Sequence, residues 1–397
     1  MNKMRGCCAV CSKNKGTIVK PIVVIGSGLA AYTVIRELRK LNREIPVTLV
    51  SRDSADSYSK PMLSNAFAQK KDAASLVLTP AAGMAQQLGI NVLANTEVGA
   101  IHRSKKQLDT ASGAVEYDKL VLALGADPIR IPLKGNAAES VLSVNDLTDY
   151  ARLRDELGTA KSIAIMGGGL IGCEFANDLA SAGYAVTVID PGPCPLASLM
   201  PAQAGTQLLE PLARLGVSWR FGTAVQSIDS MGAGKVLTLT DDTIIHADLV
   251  LSAIGLRPRI QLAKDAGIVV NRGIVVDDQL RTNDDAIFAL GDCAEIEGRV
   301  LPFVLPIMHA GRALAKILGN ENASVEFPAM PVVIKTPAHP IVISPVARDA
   351  VGTWQTLASG NGVKMGFFNH ADKLLGFVLT GEYAVERSEM TKKLAVL

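Results

Sequence analysis

The stretch Ile22-Val23-Val24-Ile25-Gly26-Ser27-Gly28-Leu29-Ala30-Ala31 decides the fold, because closely spaced small residues join a β-branched run to a helical pattern. The stretch Ile163-Ala164-Ile165-Met166-Gly167-Gly168-Gly169-Leu170-Ile171-Gly172 repeats this arrangement. In each fingerprint the first glycine allows a tight turn, the second lets the backbone approach a pyrophosphate, and the third small residue lets the helix pack on the strand. N–H groups at the helix start then bind the phosphates. The chain therefore predicts two dinucleotide sites, one for a nucleotide that stays bound and one for a nucleotide that exchanges.

Both fingerprints open a β–α–β unit, the start of a nucleotide-binding fold. The first unit is predicted as a strand at 22–25, a helix at 29–41 and a strand at 47–50, and the second as a strand at 162–166, a helix at 170–183 and a strand at 185–189. The predicted nucleotide ligands are Gly26, Ser27, Gly28 and Ala31 in the first unit and Gly167, Gly169, Leu170, Ile171 and Gly172 in the second.

A second pair of similar segments indicates that one nucleotide domain is inserted into the other. The apolar run 120–126 resembles 249–255, and each follows an aspartate and precedes a proline-containing turn. Gly125 and Gly255, which lie in these runs, join the predicted ligands. The predicted fold is α/β. It has a Rossmann-like domain of residues 18–125 and 248–325, a second Rossmann-like domain of 126–247 inserted in it, a small α+β C-terminal domain of 326–397, and a flexible extension of 1–17.

Composition is that of an ordinary globular protein. Of the 397 residues 48% are apolar and 20% are charged, and the formal net charge is +2. No apolar run reaches the roughly 18 residues of a membrane span, and residues 1–21 lack the apolar stretch of a secretory signal. The basic residues are spread along the chain without an aromatic-laced patch. We therefore expect a cytoplasmic protein with no membrane span and no nucleic-acid partner.

The cysteine and histidine patterns predict no metal site. Cys8 and Cys11 form a single Cys-x-x-Cys, and no second pair completes a four-cysteine site. Cys7 also lies in the extension, where an intermolecular metal or redox role stays open. Cys173, Cys194 and Cys293 lie in the nucleotide domains as small apolar side chains. The five histidines, at positions 102, 246, 309, 339 and 370, show no metal-ligand spacing.

Asp190 ends the strand that follows the second fingerprint, at about the 20-residue spacing of a ribose-binding carboxylate. The next residues, 191–196, include no Arg or Lys that could receive a 2′-phosphate. Two like charges about 4 Å apart repel by about 4 kcal/mol at an effective dielectric near 20. Asp190 is therefore predicted to bind the ribose of NADH and to disfavour NADPH.

The ribose position of the first fingerprint contains Ser51, followed by Arg52 and Asp53, and the sequence leaves open which of the three contacts the ribose. Ser51 and Arg52 are taken as cofactor ligands. Far downstream, the run from Thr282 to Asp292 looks like the flavoprotein motif in which a strand delivers an aspartate to the ribityl chain of FAD. This likeness makes Asp292 an FAD ligand, FAD the permanent nucleotide and NADH the exchanging one.

The chain resembles the two-dinucleotide-binding flavoprotein reductases and, within them, the bacterial rubredoxin reductases. The resemblance covers residues 18 to about 395 and includes the segments Tyr58–Ser64, Gly172–Leu179, Leu301–Phe303 and Val333–Pro337. It implies an FAD-dependent oxidoreductase, with FAD in the first Rossmann-like domain and NADH in the second. A close second likeness is to the reductases that serve flavorubredoxin in nitric oxide detoxification.

The resemblance also implies roles for three charged side chains beside the flavin. Lys60, followed by Pro61, would lie near flavin N5 and favour the reduced anionic flavin. Glu174 would lie near the nicotinamide and pair with Lys60. Lys335 would contact the pyrimidine side of the flavin. Lys60 and Glu174 are thus the predicted catalytic residues, and both count with Pro61 and Lys335 as predicted cofactor ligands.

The predicted acceptor is rubredoxin or a similar small iron protein. Disulfide reductases of this superfamily relay electrons through a cysteine pair beside the flavin, but residues 57–70 of this chain contain no cysteine. Electrons are therefore expected to leave the flavin directly. Flavorubredoxin and a ferredoxin of an oxygenase system stay open as alternative acceptors. A different alternative for the protein itself is a flavoprotein that senses NADH through its dimer contacts. The protein is expected to be a monomer or a homodimer.

Overall fold

The computed structural model describes residues 20–347 and 349–394. The predicted extension of residues 1–17 lies outside the described residues. The α-helices in the described part are α1 Leu29–Leu41, α2 Ala73–Leu76, α3 Ala81–Leu88, α4 Leu147–Leu157, α5 Leu170–Ser181, α6 Ala202–Gly205, α7 Leu209–Ala213, α8 Gln261–Asp265, α9 Val304–Leu318 and α10 Arg387–Lys393. Short 3₁₀ segments occur at Lys60–Asn65, Arg103–Lys105, Ala138–Ser140, Thr206–Leu208, Gly291–Cys293 and Gly381–Glu386.

The first nucleotide-binding sheet has five parallel strands. Their spatial order is Ile287–Ala289, Lys119–Leu122, Ile22–Ile25, Val47–Val50 and Asn91–Leu93. The strand at 22–25 is buried along its whole length, as expected for a parallel strand covered on both faces. Helix α1 packs against α9 so closely that a Cβ atom on Gly311 would lie 2.6 Å from Thr33 Cγ2. The β–α–β unit predicted from the first fingerprint is confirmed.

The second nucleotide-binding sheet has four parallel strands, in the order Val217–Phe221, Ala185–Asp190, Ser162–Met166 and Leu249–Ser252. Helix α5 follows the strand at 162–166 and ends at Ser181, two residues before the predicted end. The predicted β–α–β unit is confirmed here as well, and the order of the four strands in this sheet repeats that of four of the five strands of the first sheet.

The chain passes between the two sheets through a pair of short antiparallel strands, Ala126–Pro128 and Leu256–Pro258. This pairing supports the prediction that the second unit is inserted into the first. The predicted return point at residue 248 is wrong, because strand Leu249–Ser252 pairs with Ser162–Met166 in the second sheet. The error has a physical reason: two runs of similar sequence give no indication of the sheet in which each one pairs.

The C-terminal domain is built on a five-stranded antiparallel sheet. Its strand order is Val332–Ile334, Ile341–Ser344, Leu374–Thr380, Gly362–Phe368 and Thr353–Gly360. Inward-facing residues of this sheet, such as Ile334 and Ile341, share one core with Leu63 and Phe67 and with the α5 side of the second sheet. This shared core fixes the C-terminal sheet against both nucleotide-binding units, so the predicted α/β architecture with a third, C-terminal domain is confirmed.

Smaller sheets complete the described structure. The three-stranded antiparallel sheets are Val98–His102 with Gln107–Thr110 and Gly113–Glu116, and Val225–Met231 with Gly234–Leu239 and Ile244–Ala247. The two-stranded sheets are Ser57–Tyr58 with Val77–Thr79 and Ile274–Val276 with Ala294–Ile296. Within residues 20–347 and 349–394, no helix combines the length and apolar character needed to cross a bilayer.

Candidate functional site

A cavity of about 990 Å³ lies where the two nucleotide-binding units meet the C-terminal domain. This volume is at the upper end of the range for small-molecule sites and suits a large cofactor. The predicted site residues that line it are Gly26, Ser27, Gly28, Ser51, Arg52, Lys60, Pro61, Gly125, Leu170, Ile171, Glu174, Asp292 and Lys335. The predicted residues outside its wall are Ala31, Gly167, Gly169, Gly172, Asp190 and Gly255.

The first fingerprint leaves a free helix terminus facing this cavity. Helix α1 begins after Gly28 without a side-chain cap and without an acidic residue in its first turn. Gly26 has φ +113°, and a Cβ atom there would lie 2.3 Å from the Ala123 carbonyl oxygen, whereas no described residue comes within 4 Å of a Cβ built on Gly28. An anionic group can therefore approach the uncapped N–H groups, and this cradle fits a pyrophosphate.

Asp53 brings a carboxylate to the first fingerprint. Its Oδ1 atom accepts hydrogen bonds from Ser27 Oγ at 2.7 Å and from Ser51 Oγ at 2.6 Å. Arg52 instead lies near Asp127, with 3.7 Å between Nη2 and Oδ1, and both residues line the cavity. Asp53 is one of the three residues that the sequence leaves open for the ribose, although only Ser51 and Arg52 are among the predicted ligands.

Lys60 lies on the cavity wall at the start of the 3₁₀ segment Lys60–Asn65. Its Nζ is 3.9 Å from Asp292 Oδ2, a long contact for an ion pair. Burial lowers the pKa of the Lys60 ammonium below its usual value, and the neighbouring Asp292 carboxylate opposes this effect only in part. The Lys60 ammonium is therefore held near the cavity, and no residue that the structure describes pairs closely with it.

The predicted pairing of Lys60 with Glu174 is wrong, because Glu174 pairs with Lys335. Lys335 Nζ lies 2.6 Å from Glu174 Oε2 and donates to Ser64 Oγ at 2.7 Å and to the Pro61 carbonyl oxygen. Ser64 Oγ also donates to Glu174 Oε2 at 2.6 Å. Glu174 is only 2% exposed, so it needs a cation and hydrogen-bond donors. The C-terminal domain supplies that cation.

Asn145 was not predicted from the sequence, and it carries an unsatisfied polar atom in the cavity wall. Its Nδ2 donates to the Ala126 carbonyl oxygen at 2.9 Å, but its Oδ1 is buried and has no hydrogen-bond partner among the described residues. Buried polar atoms without partners are rare and need an explanation. A bound cofactor with a nearby donor would supply one. No sequence motif marks this position, so the sequence alone gave no signal for it.

The second fingerprint also opens an uncapped helix. Helix α5 begins after Gly169 with no side-chain cap, and a Cβ atom on Gly172 would lie 1.8 Å from the Gly167 carbonyl oxygen. Asp190 lies beside this helix start, where its carboxylate accepts from the backbone N–H of Gly168 and of Gly192, both at 2.6 Å. Since a carboxylate has about four acceptor positions, it can also bind a ribose hydroxyl.

The described cysteines are buried and lie outside the cavity wall. Cys173, Cys194 and Cys293 are free thiols, and burial raises the pKa of Cys293 to about 11. Burial likewise raises the pKa of Cys173. These thiols are therefore protonated at neutral pH and poorly suited to relay electrons. In the part of the chain that the structure describes, no three or more His, Cys, Asp or Glu side chains are grouped as metal ligands.

Comparison with known proteins shows the family to which the chain belongs. Residues 20–315 match the family described as pyridine nucleotide-disulphide oxidoreductase, and the chain belongs to this family. Residues 324–394 match the domain described as rubredoxin binding C-terminal domain. Family membership confirms the predicted oxidoreductase class and the predicted cofactors, FAD with NADH as the electron donor.

Individual relatives show which members of the family the chain resembles. The chain is 45% identical to the rubredoxin-NAD(+) reductase of Alcanivorax borkumensis, over 95% of this chain and 99% of the relative. It is 37% identical to the nitric oxide reductase FlRd-NAD(+) reductase of Klebsiella pneumoniae, over 94% of this chain and 98% of the relative. Among solved structures, it superposes on the covalent putidaredoxin reductase–putidaredoxin complex with a TM-score of 0.85 and 26% identity, covering 94% of this chain and 92% of that one.

Proposed function

We propose that this protein transfers electrons from NADH through bound FAD to rubredoxin. One observation carries the proposal: a single cavity is lined by the first fingerprint, by the start of α5 after the second fingerprint, and by residues of the rubredoxin-binding match, 324–394. Donor, flavin and acceptor therefore have their binding elements around one space. The predicted residues that line the cavity, together with Asp190, are the ligands we propose for the two nucleotides.

Different residues of the chain have different proposed roles at the site. The uncapped start of α1 and the carboxylate of Asp53 would hold the pyrophosphate and adenosine ribose of FAD, and Asp292 its ribityl chain. When bound, FAD accepts two electrons from NADH as a hydride and releases them singly. The ammonium of Lys60, which has no close partner in the described part of the chain, would stabilise negative charge that develops on the reduced flavin. The pair of Glu174 and Lys335 would form the wall beside the nicotinamide.

The acceptor side of the cavity is formed by the C-terminal domain. Met330, Pro331, Val332, Val333 and Arg387 line the cavity, and the Val333 side chain is 45% exposed. An exposed apolar edge with adjacent positive charge suits a small partner with an apolar patch and acidic rim. Because the described cysteines lie outside the cavity, the proposed transfer proceeds from flavin to acceptor without a thiol intermediate.

A second acceptor is flavorubredoxin in nitric oxide detoxification. The likeness to the Klebsiella pneumoniae relative favours it, because that alignment covers nearly the whole of both chains. A ferredoxin of an oxygenase system is a third, less favoured candidate, which the resemblance to the putidaredoxin reductase complex supports. A cytoplasmic location and a monomeric or homodimeric state stay predictions.

An acceptor comparison tests the proposal. The FAD-loaded protein is supplied with NADH, in the absence of oxygen, and with rubredoxin, flavorubredoxin, a ferredoxin or cytochrome c. We expect kcat/KM for rubredoxin to exceed the other values by about tenfold or more, which corresponds to about 1.4 kcal/mol of transition-state stabilisation. The control is free FAD with NADH and each acceptor. Preference for flavorubredoxin would select the second candidate, and equal use of all acceptors would contradict both.

A further inference from the structure

One face of helix α5 carries three polar side chains that are almost completely buried. Glu174 and Asn177 are 2% exposed and Asp178 is 1% exposed. Residues three and four positions apart lie on the same face of a helix, so the three side chains form one polar strip. Carboxylates are rarely this buried unless they are paired or hydrogen-bonded. Each of these three buried side chains is therefore expected to have a hydrogen-bonding or ionic partner.

The first partner is the flavin-side loop, which we define as residues 60–68. Asp178 Oδ2 accepts a hydrogen bond from the Phe67 backbone N–H at 2.8 Å, and its Oδ1 accepts from the Ala68 N–H at 2.9 Å. Asp178 thus occupies both of its carboxylate oxygens with this loop. The same loop begins with Lys60, so the anchor point lies at the far end of the segment that carries the flavin-facing lysine.

The second partner is the acceptor segment, which we define as residues 335–338 and which lies within the rubredoxin-binding match. Asn177 Oδ1 accepts from the Ala338 backbone N–H at 3.1 Å. Glu174 Oε1 accepts from the Lys335 backbone N–H at 3.0 Å. The strip therefore holds the backbone of two separate segments, one on the flavin side and one in the C-terminal domain.

We propose that this strip couples binding of NADH at the start of α5 to the positions of the flavin-side loop and the acceptor segment, with Asp178 and Asn177 as the positioning residues. The inference rests on the proposed function for what binds at the two ends. A helix is stiff, and buried hydrogen bonds to its side chains are costly to break. Ordering the start of α5 by a nucleotide therefore stabilises the contacts further along the same helix. Linkage makes the effect reciprocal, so acceptor bound at the segment also favours the nucleotide.

Backbone hydrogen exchange tests the coupling without turnover. The FAD-loaded protein is examined by mass spectrometry with and without NAD⁺, which binds but cannot reduce the flavin. We expect NAD⁺ to slow exchange in peptides that contain Phe67 and Ala68 and in peptides that contain Lys335 and Ala338. In Asn177→Ala the slowing at Ala338 should be lost and that at Phe67 kept. Asp178→Asn loses one of its two acceptor oxygens for the Phe67 and Ala68 N–H groups. In this variant the slowing at Phe67 should be lost and that at Ala338 kept.

Ala182→Ser is the matched control, because Ala182 is an exposed residue at the C-terminal end of the same helix and its side chain makes no hydrogen bond to the strip. It should keep the wild-type pattern in both peptides. Should Asn177→Ala fail to retain FAD, Asn177→Leu takes its place, because leucine has a similar size but no hydrogen-bond acceptor. Equal loosening of both peptides in each variant would show a general structural role and overturn the proposal. So would a wild-type protein in which NAD⁺ slows neither peptide.

A binding measurement separates this inference from the proposed function. Rubredoxin in which zinc replaces iron keeps the tetrahedral thiolate site but cannot accept electrons. We expect NAD⁺ to tighten its binding to the wild-type protein by about fivefold, and Asn177→Ala to reduce this effect to less than about twofold. Failure of zinc-rubredoxin to bind at all would contradict the proposed function, while the exchange experiment would still decide the coupling. Binding that NAD⁺ does not change would overturn the coupling alone.

Discussion

The two lysines of the cavity have different electrostatic surroundings. Lys335 has three acceptors, in Pro61, Ser64 and Glu174, whereas the contact of Lys60 with Asp292 is 3.9 Å long. The Lys335 charge is therefore used within the protein, and the Lys60 charge is left for a ligand. Lys335 acts as a link between domains, and Lys60 is the residue whose charge we expect to matter for the reaction.

We predict that flavin reduction by NADH slows at alkaline pH because Lys60 loses its proton. Burial lowers the pKa of Lys60 below its ordinary 10.5; the side chain is charged below the shifted pKa and neutral above it. The rate measured by stopped flow should fall with an apparent pKa below 10.5. Lys60→Arg stays charged and should move the fall to higher pH, and Lys60→Met should be slow at every pH. If the rate of Lys60→Arg falls at the same alkaline pH as that of the wild-type protein, a group other than Lys60 causes the fall.

Asp190 leads to a second prediction at this scale. Its charge lies at the start of α5, where a 2′-phosphate of NADPH would be repelled by about 4 kcal/mol at 4 Å before screening by salt. We expect the wild-type protein to prefer NADH strongly and Asp190→Asn, which keeps the shape, to raise the NADPH/NADH ratio of kcat/KM by about tenfold or more. Asp190→Asn should retain FAD, since Asp190 lies outside the cavity wall. Equal use of both nucleotides by the wild-type protein would remove Asp190 from this role.

The two β–α–β units were predictable because their signals are local. Glycine spacing, β-branched runs and the helical pattern after each fingerprint depend only on neighbouring residues, so strands 22–25 and 162–166 and helix α1 have the predicted bounds. The sheet that contains strand 249–252 was not predictable, because sheet membership depends on pairing with a distant strand. The same limit applies to the site, since the cation that pairs with Glu174 comes from another domain.

The two glycines of the second fingerprint predict separable effects. A Cβ on Gly169 would have no neighbour within 4 Å among residues 20–347 and 349–394, whereas a Cβ on Gly172 would lie 1.8 Å from the Gly167 carbonyl oxygen. Gly169→Ala should raise KM for NADH while leaving thermal stability unchanged, because it occupies only space needed by the pyrophosphate. Gly172→Ala should also destabilise the protein, by about 1–3 kcal/mol, because helix and strand must move apart. Urea unfolding of the FAD-loaded variants measures the difference. Equal destabilisation by the two substitutions would contradict the assigned roles.

At the scale of the whole molecule, the shared core determines how the three domains work together. Residues of the flavin-side loop, of the second sheet and of the C-terminal sheet pack into one cluster. Its polar counterpart is the strip on α5, which holds the flavin-side loop and the acceptor segment by hydrogen bonds. Neither feature could be predicted from the sequence, because each depends on contacts among segments more than 100 residues apart, such as Asp178 with Phe67. The fold could be predicted domain by domain, but the assembly of the site could not.

A single-turnover experiment tests the central claim most directly. The FAD-loaded protein is first reduced by one equivalent of NADH in the absence of oxygen and then mixed with oxidised rubredoxin in a stopped-flow spectrometer. We predict that NADH reduces the flavin, and that reduced rubredoxin then forms in step with flavin reoxidation and at least as fast as steady-state turnover. A flavin that NADH reduces readily but rubredoxin does not reoxidise would contradict the claim that rubredoxin is the acceptor.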